Sequence, residues 1–245
     1  LSAVDGKGGS VSFTYDSLGR VLSKSIQDEK GAVRLSTFSY DEARPGFNNK
    51  GKLTTVRGPD EITLYNHDSF GRLQVLTRII SGLVYQWQWG YDADGRVLWI
   101  LYPDREFVGT PDDPWRYDEL GRLVSIPGYI KSAQYDPTDG SLVELQYSNG
   151  EIESFSYHAT RKWLSEIRLQ DLDGKIAEAL RYVERDAAGR LLSETRLDGA
   201  QWTYQYNALS ELVAGDFRDP GQASNHVRQE FRYDLAGNMV CNSRF

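Results

Sequence analysis

The chain has 245 residues, with 28 Lys or Arg against 35 Asp or Glu and a formal net charge of −7. Its cations are scattered singly along an acidic chain, which excludes the concentrated basic face that nucleic-acid binding requires. Composition is 40 % hydrophobic and 26 % charged, ordinary globular usage. The single cysteine, Cys241, with His67, His158 and His226 far apart, leaves neither a disulfide framework nor a zinc spacing.

The chain starts at Leu1 without a signal-peptide pattern, which reads as a piece cut from a longer polypeptide. Gly6 to Ser10 is glycine-rich around Lys7, but a strand rather than a P-loop frame follows. Phe13-Thr14-Tyr15 predicts that strand, and Asp16-Ser17-Leu18-Gly19-Arg20-Val21 a turn and the start of a return strand. The same sentence then recurs along the chain. Phe38 and Tyr40-Asp41 open a second copy, interrupted by an insertion from Arg44 to Lys50 before Gly51-Lys52-Leu53. Tyr65, His67-Asp68, Gly71-Arg72 and Leu73 form a third. The apolar stretch Val75 to Trp89 is broken by Arg78, Ser81, Gly82, Gln86 and Gln88, too often for a spanning helix of roughly 20 residues. It leads into the fourth copy, where Trp87, Trp89 and Tyr91 alternate with Gln86, Gln88 and Gly90 before Asp92, Gly95, Arg96 and Val97.

Trp115, Tyr117-Asp118, Gly121-Arg122 and Leu123 make the fifth copy, and Ala133, Tyr135-Asp136 and Leu142 the sixth. The seventh, Phe155, Tyr157-His158, Lys162-Trp163, has lost both Asp and Gly. Val183, Arg185-Asp186, Gly189-Arg190 and Leu191 follow, then Trp202, Tyr204, Tyr206-Asn207 and Leu212 with Ser210 in the glycine place. Phe231, Tyr233-Asp234, Gly237-Asn238 and Met239 close the series. The departing turns at His158, Ser210 and the insertion are expected to have altered geometry.

From Tyr15 to Tyr233 the ten copies give a mean period of about 24 residues, enough for two strands and two turns. Asp stands at the turn-opening position in eight of ten, suited to accept a bond from the amide two residues on. Asp-x-x-Gly reads as a type I turn closed at positive φ. Second turns show as Pro59-Asp60, Pro103-Asp104, Asn149-Gly150, Asp173-Gly174 and Asp198-Gly199. Aromatics two residues before the Tyr position share its strand face, so that face reads as apolar and the Gln86/Gln88 face as wet. The expected fold is all-β, roughly twenty strands in an antiparallel strip of hairpins. Rings at equivalent positions are expected to stack on successive rungs, and the repeated Asp and Arg to pair across rungs.

This Tyr-Asp-x-x-Gly-Arg-Leu frame resembles the YD repeats of the Rhs family, found in bacterial polymorphic toxins, the B and C components of toxin complexes, and teneurins. The resemblance covers Phe13 to Gly237. It implies a spiralling antiparallel strip of YD-repeat hairpins, one arc of a hollow β-shell, with residues 1–245 a single repeat region within a longer shell. It also implies a non-enzymatic wall in a secreted bacterial protein that encloses and helps deliver a C-terminal toxin domain, with flanking repeats as partners. A cell-surface adhesion module is the alternative, binding glycan or protein through exposed aromatics or the Arg44 to Lys50 insertion.

Carboxylate pairs Asp112/Asp113, Asp136/Asp139, Asp92/Asp94 and Asp171/Asp173 sit at or beside turns and complete no calcium loop. His67 and His158 occupy repeat positions, His226 a polar loop, and Cys241 a strand after the last turn. No nucleophile is spaced to a base, so no catalytic, cofactor or metal residue is assigned.

Overall fold

The computed structural model describes residues 2–4, 9–221 and 226–244. The chain forms two compact units, Leu1–Arg116 and Tyr117–Phe245. The first holds β1 (Ser2–Val4), β2 (Ser10–Tyr15), β3 (Val21–Gln27), β4 (Val33–Tyr40) and β5 (Leu53–Arg57). It continues with β6 (Glu61–His67), β7 (Leu73–Ile80), β8 (Leu83–Tyr91), β9 (Val97–Leu101) and β10 (Phe107–Val108). These ten strands hydrogen-bond in sequence order as one antiparallel sheet. The division between units falls within the short strand β11 (Arg116–Tyr117), whose sheet partner is β12 (Leu123–Ser125).

The second unit carries another ten-stranded sheet in sequence order. Its strands are β13 (Ile130–Tyr135), β14 (Leu142–Tyr147), β15 (Ile152–Tyr157), β16 (Leu164–Gln170) and β17 (Ile176–Arg185). After them come β18 (Leu191–Arg196), β19 (Gln201–Tyr206), β20 (Leu212–Arg218), β21 (His226–Tyr233) and β22 (Met239–Arg244). No helix occurs among the described residues, so the all-β hairpin strip expected from the period of two is what each unit shows.

Each Tyr-Asp hairpin contains a register shift at its tyrosine. Thr14 opposes Ser23 while Tyr15 opposes Val21, and the same one-residue slip recurs at His67, Tyr91, Tyr157, Tyr206 and Tyr233. The slip is a bulge set by a residue at positive φ, a glycine in most copies (Gly19 at 77°, Gly71 at 77°) because it adopts that conformation without strain, and Lys162 or Ser210 where glycine is absent.

A single-layer sheet has no second layer to bury its side chains against, and burial reflects this. Among the described residues the fully buried apolar side chains are all alanines: Ala133, Ala179, Ala200 and Ala214. The buried polar ones include Thr54, Thr55, Asn49, Asn66 and Thr77, gathered in the first unit. On the face expected to be wet Gln86 is exposed, but apolar groups share it: Gln88 lies between Val75 and Leu101, and Gln86 shares a row with Thr77 and Leu64. Both faces of the strip therefore carry apolar groups. On the Gln88 face the Trp99 indole lies over Gly90, where an added Cβ would meet its Nε1 at 2.0 Å.

Candidate functional site

The repeating site is the Tyr-Asp turn itself. In the Asp16 copy, Oδ1 accepts from the backbone N–H groups of Leu18 and Arg20, each at 2.9 Å, and Oδ2 accepts from Arg20 Nε at 2.7 Å. The backbone closes the same loop, Gly19 N–H donating to Asp16 and Asp16 N–H to Arg20. Asp68/Arg72, Asp92/Arg96, Asp118/Arg122 and Asp186/Arg190 repeat it, with Nε to Oδ2 distances of 2.6–2.7 Å. Donors aimed at the charged form hold the carboxyl of Asp16 below its ordinary value, the Arg20 amide first and its guanidinium second. Asp and Arg thus pair inside one turn, because positions four apart meet when the turn folds back, and Arg20 also pairs with Asp41 of the next copy.

The arginine then reaches the next copy. Arg20 lies 4.4 Å over the Tyr40 ring and bonds Asp41 at 2.7 Å. Arg72 lies over Tyr91, Arg122 over Tyr135 and Arg190 over Tyr206, at 4.6, 4.4 and 5.1 Å. Guanidinium on ring, rather than ring on ring across rungs, is how Tyr40, Tyr91 and Tyr135 meet the preceding copy. Tyrosine answers in the other direction. The hydroxyls of Tyr40, Tyr91, Tyr135, Tyr157 and Tyr233 donate to the carbonyls of Val21, Leu73, Leu123, Leu142 and Leu212, at 2.7–3.0 Å. Each acceptor is the apolar residue that opens the previous return strand, so phenylalanine would fill the space and lose the bond. Where arginine stands in the tyrosine place, Arg185 Nη2 donates to Leu164 O at 3.4 Å and its guanidinium lies over Trp163.

Two departing turns keep the job by other means. His158 Nδ1 accepts from the Thr160 and Arg161 amides as Asp does elsewhere. That loop and the Asp136 loop are each one residue longer, and Lys162, at φ 56°, pairs across them with Asp139 at 2.9 Å. The Lys162 ammonium holds the Asp139 carboxyl far below its usual range. Ser210, contrary to expectation, leaves its turn unaltered: it takes φ 65° itself, and Asn207 caps the loop through the Leu209 and Glu211 amides.

The insertion folds inward instead of presenting a contact loop through its arginine. Arg44 donates to Glu42, Thr55 Oγ1 and Asn66 Oδ1 at 2.7–2.8 Å, and to the carbonyls of Thr54 and Tyr65. Thr55 Oγ1 also donates to Glu42, which with the nearby guanidinium keeps that carboxyl below its ordinary value. Asn49, nearly inaccessible, bonds Glu42 O and Asn66 and accepts from the His67 amide. Burial lowers the His67 pKa, so the ring stays neutral against Asn49. Nothing in the sequence marked Glu42, Asn49 and Asn66 as one cluster, since a 24-residue spacing separates residues that only strand pairing unites.

Of the remaining candidates, Asp92, Asp136 and Asp171 cap turns, Asp94 pairs with Arg96, and Asp113 pairs with Arg116. His226 begins β21, 3.5 Å from Asp216, and Cys241 is half-buried in β22. The glycine-rich start lies mostly outside the described residues, as does most of the loop before His226. Among the described residues no three His, Cys, Asp or Glu side chains gather as metal ligands would.

No family model matches the chain. It is 27 % identical over 222 residues to the toxin protein Tse5 of Pseudomonas aeruginosa, covering 80 % of this chain and 16 % of Tse5. It is 24 % identical over 227 residues to the tRNA3(Ser)-specific nuclease WapA of Bacillus spizizenii, covering 91 % of this chain and 8 % of WapA. In the crystal structure of TcdB2-TccC3 a matching region covers 100 % of this chain and 15 % of that one, with a TM-score of 0.73 at 18 % identity. In its repeat frame and its fold the chain is similar to YD-repeat proteins of the Rhs type. The stapled turn is the structural meaning of the repeat: Asp folds it, Arg bridges to the next copy, and Tyr bonds back. This chain spans less than a fifth of the length of each of these three relatives.

Proposed function

We propose that the chain is a wall segment of a secreted bacterial Rhs-type protein, one arc of a spiralling shell that encloses a C-terminal toxin domain and helps deliver it. In this reading residues 1–245 are one repeat region continued by further repeats, and the wall is non-enzymatic. The observation that carries it is the inter-repeat staple. Tyr, Asp and Arg of the repeat, the groups that chemistry would recruit, are spent on holding one hairpin to the next. A strip secured by its own side chains at each step extends without an opposing layer, as a wall must. The likeness of the whole chain's fold to a region of TcdB2-TccC3, and of its sequence to Tse5, supports the toxin setting.

The test is limited proteolysis of the whole polypeptide that carries these residues. A C-terminal domain that survives protease able to digest the same domain made alone is the expected result. Equal digestion rates would overturn the enclosing role.

A further inference from the structure

The Tyr117–Phe245 unit has two unlike faces. Residues directly opposed in antiparallel pairs share a face. On one face Glu166 pairs with Arg168 and Arg181, each at 2.7 Å, and Asp216 with Arg228 at 2.8 Å. The other face opens into a concavity of about 810 Å³ over β15 to β18. Register places Glu153, Leu169 and Glu178 in one row, and Ile167, Leu180 and Arg196 in the next. A third row runs through Tyr182, Glu194 and Trp202. Asp198 closes the rim at the β18–β19 turn.

The floor is thus aliphatic, and four carboxylates surround it against one guanidinium. The bonds that Glu153 and Glu194 accept here come from phenols, not cations. Tyr147 donates to Glu153 at 2.6 Å, and Tyr204 donates to Glu194. A phenol supplies a hydrogen bond without bringing a positive charge to the carboxylate. The Tyr147 hydroxyl, pushed up to about 12 by Glu153, keeps its proton throughout the physiological range. None of the four caps a Tyr-Asp turn; Asp198 caps the β18–β19 turn with Oδ1, which accepts from the Ala200 amide.

We propose that this concavity docks an extended cationic segment of a partner protein, its Lys or Arg side chains alternating with apolar ones. The apolar groups and the methylene stems of the cations cover Ile167, Leu169 and Leu180, while the charged heads meet Glu153, Glu178, Glu194 and Asp198. Crossing from β15 to β18 takes three strand spacings, about 14 Å, which four or five extended residues span. Charge complementarity selects this occupant over an acidic or neutral one, and the proposal stands whether or not the chain walls a shell.

Fluorescence anisotropy of a labelled peptide with alternating Lys and Leu, titrated with the 245-residue chain, tests it. The Lys peptide is expected to bind and to weaken as salt rises from about 50 to 500 mM, whereas peptides with Glu or Ser in place of Lys bind at least about tenfold more weakly. The double variant Glu178→Gln, Asp198→Asn should weaken the Lys peptide about tenfold, and Arg196→Gln should tighten it about threefold. These are exposed or half-buried polar exchanges whose folding circular dichroism checks, and Arg196→Gln reads in the opposite direction from a damaged fold. Equal affinity for the Lys and Ser peptides would overturn the site. So would an equal loss from Asp112→Asn with Asp113→Asn in the other unit, which would mean general charge attraction.

Discussion

The turns at Asp68–Arg72 and at Asp41–Lys52 do the same work with very different lengths of chain. In the short turn one carboxylate holds two amides and a guanidinium, all within four residues. In the long one Asp41 N–H still donates to Lys52 O, the bond that closes every Tyr-Asp loop, and its carboxylate accepts from Gly51 N–H. The insertion changes what lies between. Arg44 replaces the local Asp-Arg pair with five bonds drawn from β5, β6 and the insertion itself. The short turn closes on its own residues. The long one supplies the first unit with a polar core that a single sheet lacks, at the cost of depending on distant partners.

Removing the two arginines should separate these modes most sharply. Arg44→Ala removes at once the five bonds to Glu42, Thr54, Thr55, Tyr65 and Asn66 and should destabilise by about 2–4 kcal/mol in denaturant unfolding. Arg72→Ala, which leaves Asp68 the two amide donors of its own turn, should lose about 1–2 kcal/mol. Equal losses would erase the distinction between a local staple and a core.

Tyr91→Phe isolates the return bond of the regular copies. It keeps the ring under Arg72 and deletes only the donation to Leu73 O, so a loss of about 0.5–1.5 kcal/mol is expected. No loss would mean that the ring alone joins the copies.

Acid titration gives the smallest effect and a definite sign. The Asp16 and Asp118 carboxyls lie below their ordinary value of 3.8 in the fold, held there first by the amides of Arg20 and Arg122. Their contribution is complete above 3.8 and fades as pH falls through the lower folded value. Asp16→Asn should therefore flatten the stability profile on the acid side of 3.8 and leave its slope near neutrality unchanged. An unchanged acid limb, followed by circular dichroism, would show that the turn does not depend on the charge.

Much of this was readable in the residue order because the repeat is local. Asp16, Gly19 and Arg20 lie within five residues, and their roles as acceptor, bulge and return-strand opener follow from turn stereochemistry. The apolar neighbours of Gln88 were not legible for a corresponding reason. Alternation within β8 shows which residues share a face, but what flanks Gln88 depends on Val75 and Leu101 in other strands. The concavity was invisible for the same cause, since Glu153, Glu178 and Glu194 belong to three copies and meet only through register.

The sequence alone determined the strand, the turn and the hairpin, because each is closed by groups a few residues apart and is repeated often enough to be unmistakable. Tertiary structure alone decided that arginine stacks on the next tyrosine, that Arg44 points inward, and that four acids collect on one face. Those outcomes depend on the one-residue slip at each bulge, which sets the rung opposite every side chain. Because strand side chains alternate with period two, a single slip exchanges the two faces, and only the paired strands reveal which face each residue took.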